Sequence, residues 1–277
     1  MANITAADVN KLRKATGAGM MDCKNALVET DGDFEKAIDY LRKKGQKVAN
    51  KRSDRETNEG IVIAKTSDSQ NFGIVVMLNC ETDFVAKNQE FTDIAKAISE
   101  VALDKKPNTI EELKALSFNN RTVAEHISDY MGKTGEKIEL GDYQFVNAPK
   151  VSIYNHNGDK LSAIVGFNKN NVNEIDILGK DVVMQIAAMN PIALDKDNVA
   201  PEIIEHEMEI GKEQARQEGK PEDMLEKIAM GKLNKFFKEN TLLNQEFIKD
   251  NKKTVSQYLS DHDKELKIVD FKRVSVR

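Results

Sequence analysis

Four histidines and two cysteines are the side chains through which this sequence could do nucleophilic or metal chemistry. Cys80 and His156 would make a nucleophile and its base only where folding brings them together, and no third group offers itself to orient the imidazole. At the end of the apolar run GIVVMLNC, Cys80 reads more simply as a small buried hydrophobe. HEMEI opens a zinc-helix spacing with His206 and Glu207, but Ile210 stands where the second histidine is needed. The GKT at 132–134 has the end of a phosphate loop, yet the first glycine of that motif would fall on Ile127. GAGMMD at 17–22 lacks the third glycine of a dinucleotide loop and follows a helical pattern rather than a strand. His126, His206 and His262 sit in charged surroundings and are expected to be solvated. No catalytic set, cofactor site or metal site emerges, and the chain is not read as an enzyme.

Two places read instead as contact surface. Met20 and Met21 follow directly on a glycine turn, and two adjacent helical positions do not both face inward easily. An exposed methionine is adaptable contact surface. In CETDFVAKNQEF, at 80–91, the pair Asp83-Phe84 stands where a strand gives way to a helix. That Phe84 is either core or a tip presented to another protein, and residue types alone leave both readings open.

The elements that must position these residues follow from periodicity. Residues 1–45 read as three short helices. Thr5 and Asp8 form a capping pair, TGAG makes the first turn, and Phe34, Ala37, Ile38 and Leu41 share one face of the third helix, which Gly45 is expected to end. QKVANKRSDRETNEG then reads as a basic linker. Two later stretches, EGIVIAKTSDSQNFGIVVMLNC and PKVSIYNHNGDKLSAIVGFN, are each strand, polar turn, strand, followed by an amphipathic helix. They predict two related halves, each an antiparallel sheet with helices on one face. Between 201 and 237, Ile204, Met208, Gly211 and Ala215 face Leu225, Ala229, Leu233 and Phe236 in a narrow stripe, the pattern of an antiparallel helical hairpin. LKIVDFKRVSV returns to strand character.

Composition bounds the function. At 277 residues the chain predicts two or three folding units. A formal net charge of -5 and the absence of tryptophan argue against a broad nucleic-acid surface. Two cysteines fit a reducing compartment, and neither a leader segment nor a bilayer-length apolar run is recognisable, so a cytoplasmic protein without membrane contact is expected.

LRKATGAGMMDCKNAL at 12–27 and CETDFVAKNQEF at 80–91 resemble the two signatures of the bacterial elongation factor Ts family. GKPEDMLEKIAMGKLNKFFKE is similar to that family's hairpin return. The resemblance implies an α+β fold: a three-helix domain like a ubiquitin-associated domain with its basic linker (1–54), one core half (55–145), a second core half (146–200 and 233–277) and an inserted hairpin (201–232). It implies a guanine-nucleotide exchange factor that binds elongation factor Tu and promotes GDP release. By the same resemblance Thr82, Asp83 and Phe84 form the tip that enters the partner's nucleotide domain, with Phe84 wedged between two helices near the magnesium and phosphate site. Leu12, Met20 and Met21 belong to the helical domain's contact with that domain, and His156 to a contact of the second half. Longer members carry a further C-terminal helical module; with FKRVSVR ending at Arg277, that contact is expected to be missing or replaced. A homodimer through the hairpin is a further expectation.

Overall fold

A computed structural model of the chain describes residues 4–276, with side chains at all of them except 46 and 48–51. The elements run α1 (Ala6–Thr16), α2 (Met20–Glu29), α3 (Phe34–Lys51), β1 (Glu59–Thr66), β2 (Phe72–Cys80), α4 (Asp83–Ala86), α5 (Gln89–Lys105) and α6 (Ile110–Ala115). They continue as β3 (Ser117–Phe118), β4 (Arg121–Thr122), α7 (Val123–Thr134), β5 (Ile138–Asn147), β6 (Lys150–Asn155), β7 (Leu161–Phe167) and α8 (Ile175–Met189). The last are α9 (Pro201–Gln217), α10 (Glu222–Asn240), β8 (Glu246–Phe247), β9 (Asp250–Thr254), α11 (Val255–His262) and β10 (Ile268–Ser275). The fold is α+β.

Two three-stranded antiparallel sheets form the centre, in the orders β1-β2-β5 and β10-β7-β6. The strands β1, β2 and β7 are buried along nearly their whole length because each sheet is covered on both faces. Ile61, Ile63, Ile74, Val76 and Leu78 point outward into a core shared with α5 and α7. Their alternates Val62, Ala64 and Val75 turn the other way and meet Val151, Ile164 and Val274 of the second sheet. Ala163, Val165 and Phe167 then face α8 and α11. The layers are therefore helix, sheet, sheet, helix. The sheets approach closely at Gly73 of β2 and Gly166 of β7. A Cβ on the first would lie 2.6 Å from Val151, and one on the second 2.6 Å from Val146.

The N-terminal helices make a small core of their own from Val9, Leu12, Cys23, Ala26, Leu27 and Ala37. Thr5 and Asp8 form a full capping box on α1. One expectation is corrected here: Gly45 does not end the third helix, which continues to Lys51. The glycine serves a crossing with α7, where an added Cβ would lie 2.5 Å from the Ser128 carbonyl oxygen and Gly132 closes the other side. A tertiary contact thus outweighs the modest helix penalty of a glycine. Later in the chain, α9 and α10 pack antiparallel through buried Gly211, Ala215, Leu225, Ala229 and Leu233, with Gly219 in the turn.

Candidate functional site

The middle strand of the first sheet, β2, delivers the chain to α4 at its outer end. Thr82 is the N-cap of this one-turn helix and accepts a hydrogen bond from the Val85 amide. Glu136, from the turn before β5, accepts two more, from the Thr82 amide at 3.1 Å and the Thr82 hydroxyl at 2.7 Å. Glu81 is held as firmly. Arg52 donates to both its carboxylate oxygens at 2.8 and 2.7 Å, and the Lys137 amide donates at 2.6 Å. Burial pushes the Glu81 carboxyl up, but the Lys137 amide and the Arg52 guanidinium outweigh it and keep it below the ordinary range. Underneath, Ala86 is buried and Val85 packs against the core.

Only the outward residues of the turn are left free of that anchoring. Phe84 is 83% exposed, the largest exposure of any large apolar side chain among the described residues. Asp83 beside it forms an ion pair with Lys87 at 2.7 Å, one helical turn on. The hydrogen bond from Lys87 holds its carboxyl below the usual carboxylate range, so it is fully charged at neutral pH. A rigidly capped turn that exposes a phenyl ring gains nothing for its own fold from that ring. It is an exposed apolar side chain flanked by charge, on a turn fixed by its own hydrogen bonds.

Met20 and Met21 occupy the first turn of α2, behind the left-handed Gly17, and both are exposed, at 54% and 65%. Leu12 is placed differently from its expected contact role. It is wholly buried in the core of the N-terminal helices, because α1 turns that face toward Cys23 and Leu27. His156 sits exposed in the turn between β6 and β7, where its Nδ1 lies 2.9 Å from the Tyr154 hydroxyl. The carbonyl of Asp159 in the same turn accepts from the Val62 amide at 2.7 Å and docks the turn on β1.

Cys80 lacks the setting of a nucleophile. Cys80 is fully buried, its thiol donates to the Thr82 carbonyl, and burial pushes its pKa to about 12. Among the described residues no cluster of acids, histidines and cysteines could hold a metal ion. His126 is not simply solvated, as its charged neighbours imply, but stacks on Phe118 at 3.8 Å and meets the Phe118 carbonyl oxygen. The basic linker is likewise not all free charge: Arg52 is bound to Glu81, while the side chain of Lys51 lies outside the described residues. Glu136, Arg52 and Lys137, which fix the tip, were invisible to local pattern reading. Their partners lie 54, 29 and 56 positions away. No helix among the described residues is long and apolar enough to cross a membrane.

Comparison with known proteins matches the sequence to the Elongation factor Ts family. A sequence model described as Elongation factor TS matches residues 81–277. The Elongation factor Ts of Cytophaga hutchinsonii is 54% identical over 278 residues, covering 100% of each chain. That of Amoebophilus asiaticus is 53% identical over 273 residues, covering 99% of each. At greater divergence, that of Bacteroides thetaiotaomicron is 41% identical over 331 aligned positions, again covering 99% of each.

Proposed function

The chain belongs to the elongation factor Ts family of translation elongation factors, and on that premise we propose that it binds elongation factor Tu and promotes release of its GDP. In this reading 1–54 is a contact module with its linker, 55–145 is the core half that carries the tip, and 146–200 with 233–277 is the second half. The segment 201–232 is an inserted hairpin. Asp83 and Phe84, set by Thr82, enter the partner's nucleotide domain near the magnesium and phosphate site. Met20 and Met21 make a second contact with that domain, and His156 a third from the other half. The protein forms and breaks no covalent bond, needs no cofactor, and works in the cytoplasm without touching nucleic acid or membrane.

The observation that carries this reading is a phenyl ring exposed on a turn that is anchored by Arg52 and by the adjacent Glu136 and Lys137. Magnitudes limit what the ring does alone. Nanomolar nucleotide affinity corresponds to about -12 kcal/mol. Burying one phenylalanine yields about 1.5–3 kcal/mol. Phe84 therefore supplies one or two decades, and disturbance of the magnesium ligands and phosphate loop supplies the rest. By linkage, the nucleotide weakens the exchange factor by the same factor that the exchange factor weakens the nucleotide, so both complexes are transient in turnover.

Release of fluorescent GDP from elongation factor Tu, with and without this protein, tests the proposal. Substoichiometric protein should accelerate release through many turnovers. An unchanged release rate at saturating protein would remove the exchange reading.

A further inference from the structure

One helix seats two of the contacts named above. α7 is fixed in the first core by Val123, Ile127, Tyr130 and Met131. Directly after its Gly135 cap come Glu136 and Lys137, which hold Thr82 and Glu81 at the root of the tip. The outward side of α7 carries the N-terminal helices. There the backbones of α3 and α7 meet at Gly45 and Gly132. A Cβ on Gly45 would lie 2.5 Å from the Ser128 carbonyl oxygen, and one on Gly132 would lie 3.1 Å from the Gly45 Cα. Lys133 lies against the left-handed Gly17, where an added Cβ would be 3.0 Å from its Nζ, and it pairs with Glu90 of α5. Gly17 closes α1 just ahead of Met20. The turn that presents the methionines and the turn that presents Phe84 therefore rest on one short stretch, 132–137.

α3 ties the two turns together a second time. Its first half sets Ala37, with Phe34, Ile38 and Leu41, into the N-terminal core. Gly45 makes the crossing, and Arg52, directly after the last helical residue, donates to both carboxylate oxygens of Glu81. Its 18 residues span about 27 Å at the rise of an α-helix. A continuous helix of that length is a strut rather than a tether. Glycine inside a helix weakens it, so two facing glycines at one crossing need a tertiary reason. The reason here is close approach: backbone meets backbone, with no side chain between them to change rotamer, and the crossing has little freedom to slide.

We infer that Met20-Met21 and Asp83-Phe84 are presented as one rigid two-pronged surface, with Gly45 and Gly132 as the positioning residues that set its spacing. Two contacts held at a fixed spacing engage a partner for one loss of translational and rotational freedom. A loosely hung module would have to be ordered anew at each encounter. The consequence for GDP release rests on the exchange reading given above; the rigidity of the seat does not.

Spin labels on Asn25→Cys of α2 and Lys96→Cys of α5, both exposed positions, read the spacing in the free protein; native Cys23 and Cys80 are fully buried and escape labelling. The parent should give one narrow distance distribution. Gly45→Ala and Gly132→Ala should each shift or broaden it, although alanine is the better helix former. In GDP release from elongation factor Tu, Gly45→Ala should raise the concentration for half-maximal effect about tenfold and leave the maximal rate nearly unchanged. Replacing Met20 and Met21 by alanine should weaken the parent yet add little to Gly45→Ala, whereas Phe84→Ala should keep its full effect in that background. A protein that was merely destabilised would not separate the two prongs in this way. A broad distribution in the parent, or one unaltered in both glycine variants, would overturn the rigid seat. Full additivity of the methionine change with Gly45→Ala would overturn its part in exchange. A parent that releases no GDP would remove the exchange reading and leave the distances to decide the seat.

Discussion

Each sheet runs its middle strand outward to a covering helix, β2 in the first half and β7 in the second, and each exit is tied to the residues that precede the third strand. In the first half the exit residues Glu81 and Thr82 bind Lys137 and Glu136, just before β5. In the second, Asn168 and Lys169 bind Lys267, Glu265 and Asp263, just before β10. There the likeness stops. The second exit follows Phe167, which is wholly buried against α8. The first half adds a turn of helix that lifts Phe84 into solvent. The anchoring therefore belongs to the scaffold, since both halves have it, and the exposed ring belongs to something the scaffold does not require.

This contrast can be broken most forcefully through stability. Phe167→Ala should cost about 3–5 kcal/mol of unfolding free energy, as for a fully buried aromatic, whereas Phe84→Ala should stay within about 0.5 kcal/mol. Denaturant unfolding of the two variants checks it, and similar midpoints would erase the distinction. Smaller is the effect of loosening the tip without touching its ring. Glu136→Ala strands the Thr82 amide and hydroxyl and should cost about 1–2 kcal/mol. It should also slow GDP release, while Glu265→Ala at the corresponding place in the second half leaves release unchanged. Equal release rates in these two variants would show that tip rigidity does not matter.

Two smaller expectations bound the active surface. Replacing 201–232 by a short linker should leave GDP release intact while changing the sedimentation of the protein, since the buried stripe of α9 and α10 packs mainly on itself. A loss of exchange as large as that from removing the tip would place the hairpin in the active surface. Smallest of all is long-range attraction by the N-terminal basic stretch. Arg52 is committed to Glu81 and Lys44 to Asp22, so among the described side chains of this stretch exposed Lys43, Lys47 and Arg55 form no ion pair. Lys43→Gln with Lys47→Gln should flatten the salt dependence of the association rate with elongation factor Tu. Parallel salt slopes for variant and parent would eliminate steering by this stretch.

Periodicity made the paired strands, the helical hairpin and the face of the third helix legible, because each is a repeat in sequence order. Gly45 misled because its reason for being glycine lies in α7, more than eighty positions on, rather than in its own helix. The strand β5, which completes the first sheet, and the short elements from α6 to β4 carried no recognised signal. The pairing of β5 with β2 is non-local, and its burial alternates only loosely. For Phe84, residue type alone leaned toward core. What separates the two is the orientation of a single helical turn, fixed by Glu136 and Arg52 from distant parts of the chain. Met20 and Met21 were legible as a pair that cannot both be inside, and neither is. Leu12 belongs to the same signature-like stretch as those methionines but stands on α1 rather than α2, with its side chain in the core.

The most direct measurement pairs thermal unfolding of Phe84→Ala with stopped-flow release of labelled GDP from elongation factor Tu. Exposure of the ring in the free protein means that the melting temperature should hardly move. Loss of its burial in the complex should slow release by one or two decades, equivalent to about 1.5–3 kcal/mol. Asp83→Ala should act in the same direction, and the two should not add fully, because they share one contact. A Phe84→Ala protein that melts normally and still releases GDP at the parent rate would contradict the wedge outright.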